Sequence, residues 1–308
     1  MSIAEIRYLR REEVDVTKWD QCIDQAANGL IYGYSYYLDH MAKYWDALVL
    51  GDYAAVMPLT WNKKFGIYYL YQPAFTASLG VFGNDLNRQI VQAFLEKIPA
   101  KFRLVEISLN RGNHFKEESM EAVLRTNYIL NLNRSYNSLY NGYRENIRRN
   151  VRKSQQLELR YENKVPLASI LALSKQQMQK VSWVKTADYQ NFEKLFQVLK
   201  SREKAITCGV YMFDRLVSSA VYFFSHERAY YILVGNHPDG KTVGASHFLI
   251  DRFISDHAGT SLALDFEGSD IRNLAFFYES FGATVETYPF IERNYLPWWV
   301  RLVKKLRN

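Results

Sequence analysis

Cysteine, clustered histidine and long apolar runs are scarce in this 308-residue chain, and each shortage removes a class of function. The two cysteines, Cys22 and Cys208, lie far apart and match neither a zinc-ligand spacing nor a disulfide framework. The six histidines include no H-E-x-x-H and no i, i+4 pair, so no metal site is expected. No G-x-S-x-G elbow occurs, and neither a serine nor a cysteine nucleophile is supported. No run of 18 apolar residues appears, and the opening MSIAEIRYLRREE lacks the apolar core of a secretion signal. These absences lead us to expect a soluble, cytoplasmic protein.

Apolar residues make up 48% of the chain, enough for a full core, and its length suits about two domains. Aromatics reach 15%, mainly 23 Tyr and 18 Phe, which suits both a lined groove and cross-strand packing. The net charge of +7 favours anionic partners: nucleic acid, phosphorylated substrates or a lipid surface.

The order of predicted elements occurs twice. A short strand at Ile3–Leu9 and a helix near Val16–Ala27 precede strands at Ala47–Leu50, Tyr53–Thr60 and Phe65–Tyr71. Gly51-Asp52 between alternating runs marks a hairpin. A helix to about Lys97, capped by Asn84 or Asp85, and a strand at Leu104–Leu109 follow. Asn110–Asn133 is polar and is read as the boundary, around an edge helix. The second half shows helices at Tyr140–Ser154, Pro166–Lys180 and Asp188–Glu203, then strands at Ala205–Phe213, Leu216–Phe224 and Arg228–Gly235. Helix Ala245–His257, a strand to Phe266 and a last helix complete it. We therefore expect an α/β (α+β) protein of two similar modules, residues 1–125 and 126–308, each a mixed, mostly antiparallel sheet flanked by helices. Only the order of elements repeats, not the residues.

Three stretches have the composition of a site. Arg134–Lys164 holds eight basic residues against three acidic ones. Within it Arg144, Arg148 and Arg152 fall at i, i+4, i+8 beside an apolar stripe of Leu139, Tyr143, Ile147 and Val151. Like charges so spaced repel by a few tenths of a kcal/mol per pair. A bound anion, or acidic residues elsewhere in the fold, would relieve that repulsion. Arginine favours bidentate recognition of phosphate or carboxylate, although a solvated basic face has the same pattern.

The turn Asn236–Gly244 joins a strand to a helix, and Lys241, Gly244 and Ser246 would let an anion approach backbone N–H groups there. Its Gly-Lys-Thr lacks the first glycine of a Walker A loop, and no dinucleotide fingerprint is present. A plain hairpin-to-helix connection fits equally well. The third stretch, Leu264–Ala283, reads as a strand, an acidic turn and a helix with Leu274, Phe277, Tyr278 and Phe281 on one face. Ser269 or Asp270 is placed to cap that helix and Gly282 to end it. Ligands of α/β sheets gather at such strand ends, and an ordinary capped unit looks the same. The tail from Pro297 to Arg307 carries two tryptophans and four cations, which suits packing on the body or a peripheral contact with an anionic membrane.

The order of elements in the second module, with Ala275, Tyr278 and Gly282 in Asn273–Ala283, resembles the Gcn5-related N-acetyltransferase (GNAT) fold. Two such modules, the second opened by the basic helix Arg144–Lys153, resemble the Fem-type, methicillin-resistance-like aminoacyltransferases of peptidoglycan. The resemblance spans essentially the whole chain. It implies attack of an amine on a thioester or aminoacyl ester without a covalent enzyme intermediate. Tyr278 would then give a proton to the leaving group, and Asp265 and Glu267 would take one from the amine. Arg144, Arg148, Arg152, Lys241, Gly244, Ser246, Ser269 and Asn273 form the expected substrate- and phosphate-binding set. The sequence departs from the pattern twice. Lys241–Ala245 does not reproduce the Q/R-x-x-G-x-G/A of acetyl-coenzyme A enzymes, and no heptad segment supplies a helical arm.

The expected function is acyl or aminoacyl transfer from acyl-coenzyme A or aminoacyl-tRNA, used as donor co-substrate with no permanent cofactor, to an amine such as a cell-wall precursor. Phosphorylated small molecules or tRNA are the expected partners, and DNA is not. An acetyl-coenzyme A-dependent N-acetyltransferase is the alternative enzyme, and a binder of RNA or anionic lipid is the alternative without catalysis.

Overall fold

The computed structural model describes residues 5–114, 122–178, 184–268, 270–298 and 300. It begins with β1 (Ile6–Leu9), α1 (Val16–Gln25), α2 (Ser35–Met41), β2 (Tyr44–Leu50), β3 (Ala55–Lys64), β4 (Ile67–Leu70), the short β5 (Phe82–Gly83), α3 (Arg88–Glu96) and β6 (Phe102–Ser108). β7 (Ala122–Asn131), α4 (Tyr136–Asn141), α5 (Glu145–Gln156), β8 (Arg160–Asn163), α6 (Leu167–Met178) and α7 (Thr186–Ser201) follow. Strands β9 (Ala205–Met212), β10 (Arg215–Ser225) and β11 (Arg228–Asn236) come next. The chain then forms α8 (Pro238–Thr242), α9 (Ala245–His257), β12 (Ala263–Asp265), α10 (Arg272–Glu279) and β13 (Thr284–Asn294). Among the described residues no helix is long and apolar enough to cross a membrane.

The chain divides into two compact units, Met1–Arg125 with Thr287–Asn308, and Thr126–Glu286. In the first, β1, β2, β3 and β4 pair antiparallel, β4 runs parallel to β6, and β6 pairs antiparallel with β13. In the second, β8, β9, β10 and β11 pair antiparallel, β11 runs parallel to β12, and β12 pairs antiparallel with β7. The two sheets thus share one topology.

Each sheet closes with a strand from the other half of the sequence. β7, which ends the first run of elements, closes the second unit's sheet, whereas β13 closes the first unit's. The described residues from Thr287 onward therefore group with the first unit, where the sequence reading carried the second module to 308. Pairing across a sheet is set by register and face, which proximity in sequence does not encode. The edge helix read near Asn110–Asn133 is β7 at 122–131, and residues 115–121 lie outside the described set.

Adjacent residues of a strand face opposite ways, and β10 uses this to gather helices on both faces. Tyr222 stacks on Phe253 of α9 at 3.9 Å, and Phe223 stacks on Phe192 of α7 at 5.2 Å. All four rings are fully buried. The second core continues through Ile147, Val151, Leu249, Phe266 and Phe281, which attaches α5 and the last strand–helix unit to the sheet. In the first unit Leu48, Met57, Phe94, Phe102 and Ile107 fill the corresponding space beneath α3.

Candidate active site

β12 pairs with β11 for only three residues, Ala263–Asp265 against Arg228–Tyr230, and then ends while β11 continues to Asn236. The sheet opens at that point. Beyond it Phe266 N–H still bonds the Tyr128 carbonyl at 3.0 Å, then Glu267 (φ 65) and Gly268 (φ 76) take left-handed backbone in succession. A non-glycine residue there costs on the order of 1 kcal/mol, so the turn is held by its surroundings.

Asp265 is what holds it. Its carboxylate is almost fully buried, with Oδ2 accepting from Arg228 at 2.8 Å. Oδ1 accepts from Asn127 Nδ2 and from the Glu267 N–H, each at 2.9 Å. Arg228 also grips Glu286 with two bonds of 3.0 and 2.7 Å. This buried triad has no signal in the sequence, because its members are 37 and 58 positions from Arg228.

Tyr278 lies beneath the turn. It stacks on Phe266 at 4.5 Å and approaches Tyr128 at 6.2 Å, and its exposure is 6%. Its hydroxyl has no hydrogen-bond partner among the described residues. Burial raises its pKa well above the tyrosine range, and the negative Glu267 adds to this. The phenol therefore stays protonated, as a proton donor must, and is unsuited to act as a base. Ile271, not Ser269 or Asp270, is the N-cap of α10, and no side chain caps it. Asp270 instead accepts from the Thr126 N–H at 3.3 Å, and Ser269 lies outside the described residues. Asn273 is exposed on the first turn of α10.

The basic segment expected as one helix over Tyr140–Ser154 is two, α4 and α5, separated at Gly142–Arg144. The break comes from packing. Tyr143 is buried, Arg144 N–H bonds the Ser280 carbonyl at 2.8 Å, and Gly142 approaches Gly282 closely. A side chain on Gly282 (φ 81) would sit 3.3 Å from the Gly142 carbonyl oxygen, so glycine is required there. Arg144 is thus the N-cap of α5, paired with Glu279 at 3.0 Å and lying over Phe276. Glu145 pairs with Arg148 at 3.1 Å and Arg152 at 2.5 Å. Acidic side chains relieve the repulsion along the stripe, so it does not require a bound anion. Arg148 Nε, however, is buried without a partner.

The other end of α5 lies across the turn before α9. Lys153 Nζ donates to the Thr242 carbonyl at 2.8 Å. Ser154 Oγ lies 2.7 Å from the Val243 carbonyl oxygen and 2.9 Å from that of Asn150. Gly244 (φ 72) is the N-cap of α9, and a Cβ there would meet the Asn150 carbonyl oxygen at 3.0 Å. The anion approach expected at Gly244 is therefore crowded by oxygen atoms. Lys241 is exposed and Ser246 half-buried on either side of it. The structure brings Tyr278, Glu267 and Asp265 together around Phe266. Arg144 lies against α10, and Arg152 and Lys241 are towards the opposite end of α5. Most of the C-terminal tail lies outside the described residues, and Trp298 is exposed.

Residues 141–270 match the family model described as an acetyltransferase (GNAT) domain. No curated protein sequence matches the chain. Among solved structures it is similar to FemX, with 12% identity over 92% of this chain and 97% of that one, and a TM-score of 0.65. The structure of L-PGS from Bacillus licheniformis is similar at 12% identity over 100% and 98% of the two chains, TM-score 0.54. A tandem GNAT protein from the clavulanic acid biosynthesis pathway gives 10% identity over 95% and 99%, TM-score 0.54.

The chain carries a GNAT domain and has the tandem GNAT fold. The GNAT family match takes in the basic segment and the turn before α9 and stops at Asp270, just short of the helix that carries Tyr278. The first unit lies outside that match, yet its strands follow the same GNAT order.

Within the matched domain, α9 carries a buried Asp251 and, one turn earlier, a half-buried His247, neither of which sequence reading singled out. Asp251 is 1% exposed, accepts from Tyr136 at 3.0 and 3.2 Å, and is pushed up to about 6 by burial. His247 lies edge-on to Phe277 at 5.0 Å with Nδ1 buried and unpartnered, and burial lowers it to about 4. Their linkages to stability oppose each other. Asp251, protonated more readily when folded, loses stability as pH rises through the carboxylate range to about 6. His247, protonated less readily when folded, loses stability as pH falls from the ordinary histidine range to about 4. Asp251→Asn removes the first slope. We expect its unfolding free energy to gain about 2 kcal/mol on the parent between pH 4 and pH 8. Urea titrations at the two pH values measure this, and a pH-independent difference would contradict it.

Proposed function

We propose that the chain transfers an acyl or aminoacyl group from an activated donor to an amine, with Tyr278 as proton donor to the leaving group. The observation that carries this is the phenol of a buried tyrosine, kept protonated and without a hydrogen-bond partner among the described residues, at the point where β11 and β12 part. The amine nitrogen attacks the donor carbonyl carbon, the C–O bond of an aminoacyl ester or the C–S bond of a thioester breaks, and the leaving oxygen or sulfur takes the Tyr278 proton. Glu267 takes the proton that the amine loses, and that proton returns to the Tyr278 phenolate through solvent, so charge and atoms balance. Asp265, already bonded three times, positions the Glu267 backbone and does not act as a second base.

The approach of the Asn150 carbonyl and the Ser154 hydroxyl to Gly244 supports an aminoacyl-tRNA donor over coenzyme A, whose pyrophosphate needs open N–H donors there. The resemblance of the basic helix and the last helix to Fem-type aminoacyltransferases of peptidoglycan supports a phosphorylated cell-wall precursor as the amine acceptor, held by the basic segment. Labelled aminoacyl-tRNA and acetyl-coenzyme A, offered side by side, test the donor. If neither raises thermal stability at a hundred times its expected dissociation constant, where about 2.7 kcal/mol is due, the enzyme reading fails.

Arg148 contributes to binding in this reading. Removing a charged hydrogen-bond donor by Arg148→Ala should weaken a phosphorylated ligand by roughly ten- to a hundredfold. An unchanged dissociation constant by calorimetry would exclude Arg148 from the ligand site. Steep loss of RNA binding with salt, with no turnover of either donor, would favour a non-catalytic binder. The pairing of the stripe with Glu145 and Glu279 weighs against that outcome.

A further inference from the structure

The second unit contains a cleft of about 940 Å³ that the acyl-transfer reading does not use. It lies at the C-terminal end of α9, roughly 16 Å along the helix from Ser246. Tyr161, Val165, Leu167, Phe196 and Ile206 supply apolar wall, and Lys164, Lys200, Arg252 and His257 supply cationic or polar groups. Two acids, Glu203 and Asp256, also line it. Asp256 is taken up by Arg252 at 3.5 Å. Among the described residues Lys164 and Lys200 have no ion-pair partner, and with the unpaired Glu203 offsetting one of them the cleft keeps a net positive charge beside apolar surface. His257 donates from Nδ1 to the Phe253 carbonyl at 2.9 Å.

Two further features mark this as a built recess. Its size falls within the range of pockets that enclose small molecules. Lys164, on its rim, holds left-handed backbone (φ 66), an unfavourable choice for any residue with a Cβ. Its N–H is fastened to the Thr207 carbonyl at 2.8 Å. Covalent chemistry has no candidate here. Cys208, behind the wall, is fully buried and receives the Tyr161 hydroxyl at 3.2 Å. Its thiol faces Asn163 Oδ1 at 3.4 Å, and burial raises it to about 11, so it remains a thiol.

The geometry points to a second binding site, separate from Tyr278, for an amphipathic anion: an apolar acyl or aryl body against Tyr161, Leu167 and Phe196, with its carboxylate or phosphate on Lys164 and Lys200. An apolar wall alone would take a neutral ligand equally well, and the two unpaired ammonium groups are what select the anion.

Calorimetric titration of the full chain tests this with sodium decanoate and 1-naphthyl phosphate, each beside its uncharged counterpart, decan-1-ol or 1-naphthol. We expect one-to-one saturable binding of at least one anion, weakened about tenfold or more when its charge is absent. Which of the two anions binds distinguishes an acyl from an aryl body. The double variant Lys164→Gln/Lys200→Gln, both exposed side chains, should lose a similar factor with an unchanged melting temperature. Tyr278→Phe should bind the anion as the parent does. The site is overturned if neither anion saturates, if charged and uncharged probes bind alike, if the lysine variant binds like the parent, or if Tyr278→Phe abolishes binding.

Discussion

Tyr278→Phe is expected to lower turnover by about a hundredfold or more while leaving the protein folded, since a positioned proton donor contributes roughly 10² to 10⁴. The substitution removes one oxygen and keeps the ring. Stacking on Phe266 at 4.5 Å and the contact with Tyr128 survive it. Because the hydroxyl has no partner among the described residues, its loss leaves no polar group stranded and stability should change little. Burial and Glu267 raise the phenol above its ordinary range, so loss of this proton should not limit the rate below about pH 10. Single-turnover rates with the preferred donor, beside circular dichroism and a melting temperature, separate chemistry from folding. Parent-like turnover would remove Tyr278 from the reaction and return it to the core.

Arg228→Ala should have the largest effect on stability, about 3–5 kcal/mol, because it strands Asp265 and Glu286 beside one another in the interior. The side chains of Arg228 and Asp265 are 8% and 6% exposed, so water cannot replace the lost bonds cheaply. Asp265→Asn added to Arg228→Ala should recover part of the loss, since it removes one stranded charge and keeps an acceptor for the Glu267 N–H. Urea unfolding followed in the second unit checks both steps. If Arg228→Ala costs less than about 1 kcal/mol, the triad is only a surface-strength ion pair. The same variant bears on catalysis. Asp265 fixes the left-handed turn at Glu267, so activity should fall even under conditions where the protein stays folded.

Much of the second unit is legible in the sequence alone. Helix Ala245–His257 has the limits expected from its pattern, because a glycine precedes it and apolar residues recur along one face. The strands after Ala205 also agree to within a residue or two, since alternation and turn residues are local signals. The basic segment was read less well. Its apolar stripe runs unbroken through Tyr143, and nothing local announces that Arg144 leaves the helix to meet Ser280 and Glu279.

The stretch Leu264–Ala283 divides along the same line. Strand, acidic turn and helix follow from composition and period, as does the placement of Tyr278 on the helix face that turns inward. Its cap did not follow, because Asp270 bonds Thr126, 144 positions away. The sequence by itself determined most kinds of element and their order in two runs. The tertiary structure alone decided which strand closes each sheet, which acids neutralise the arginines, and which carboxylate is buried in an ion pair. The first set depends on neighbours within a turn or two of chain. The second depends on side chains that meet only when distant strands come into register.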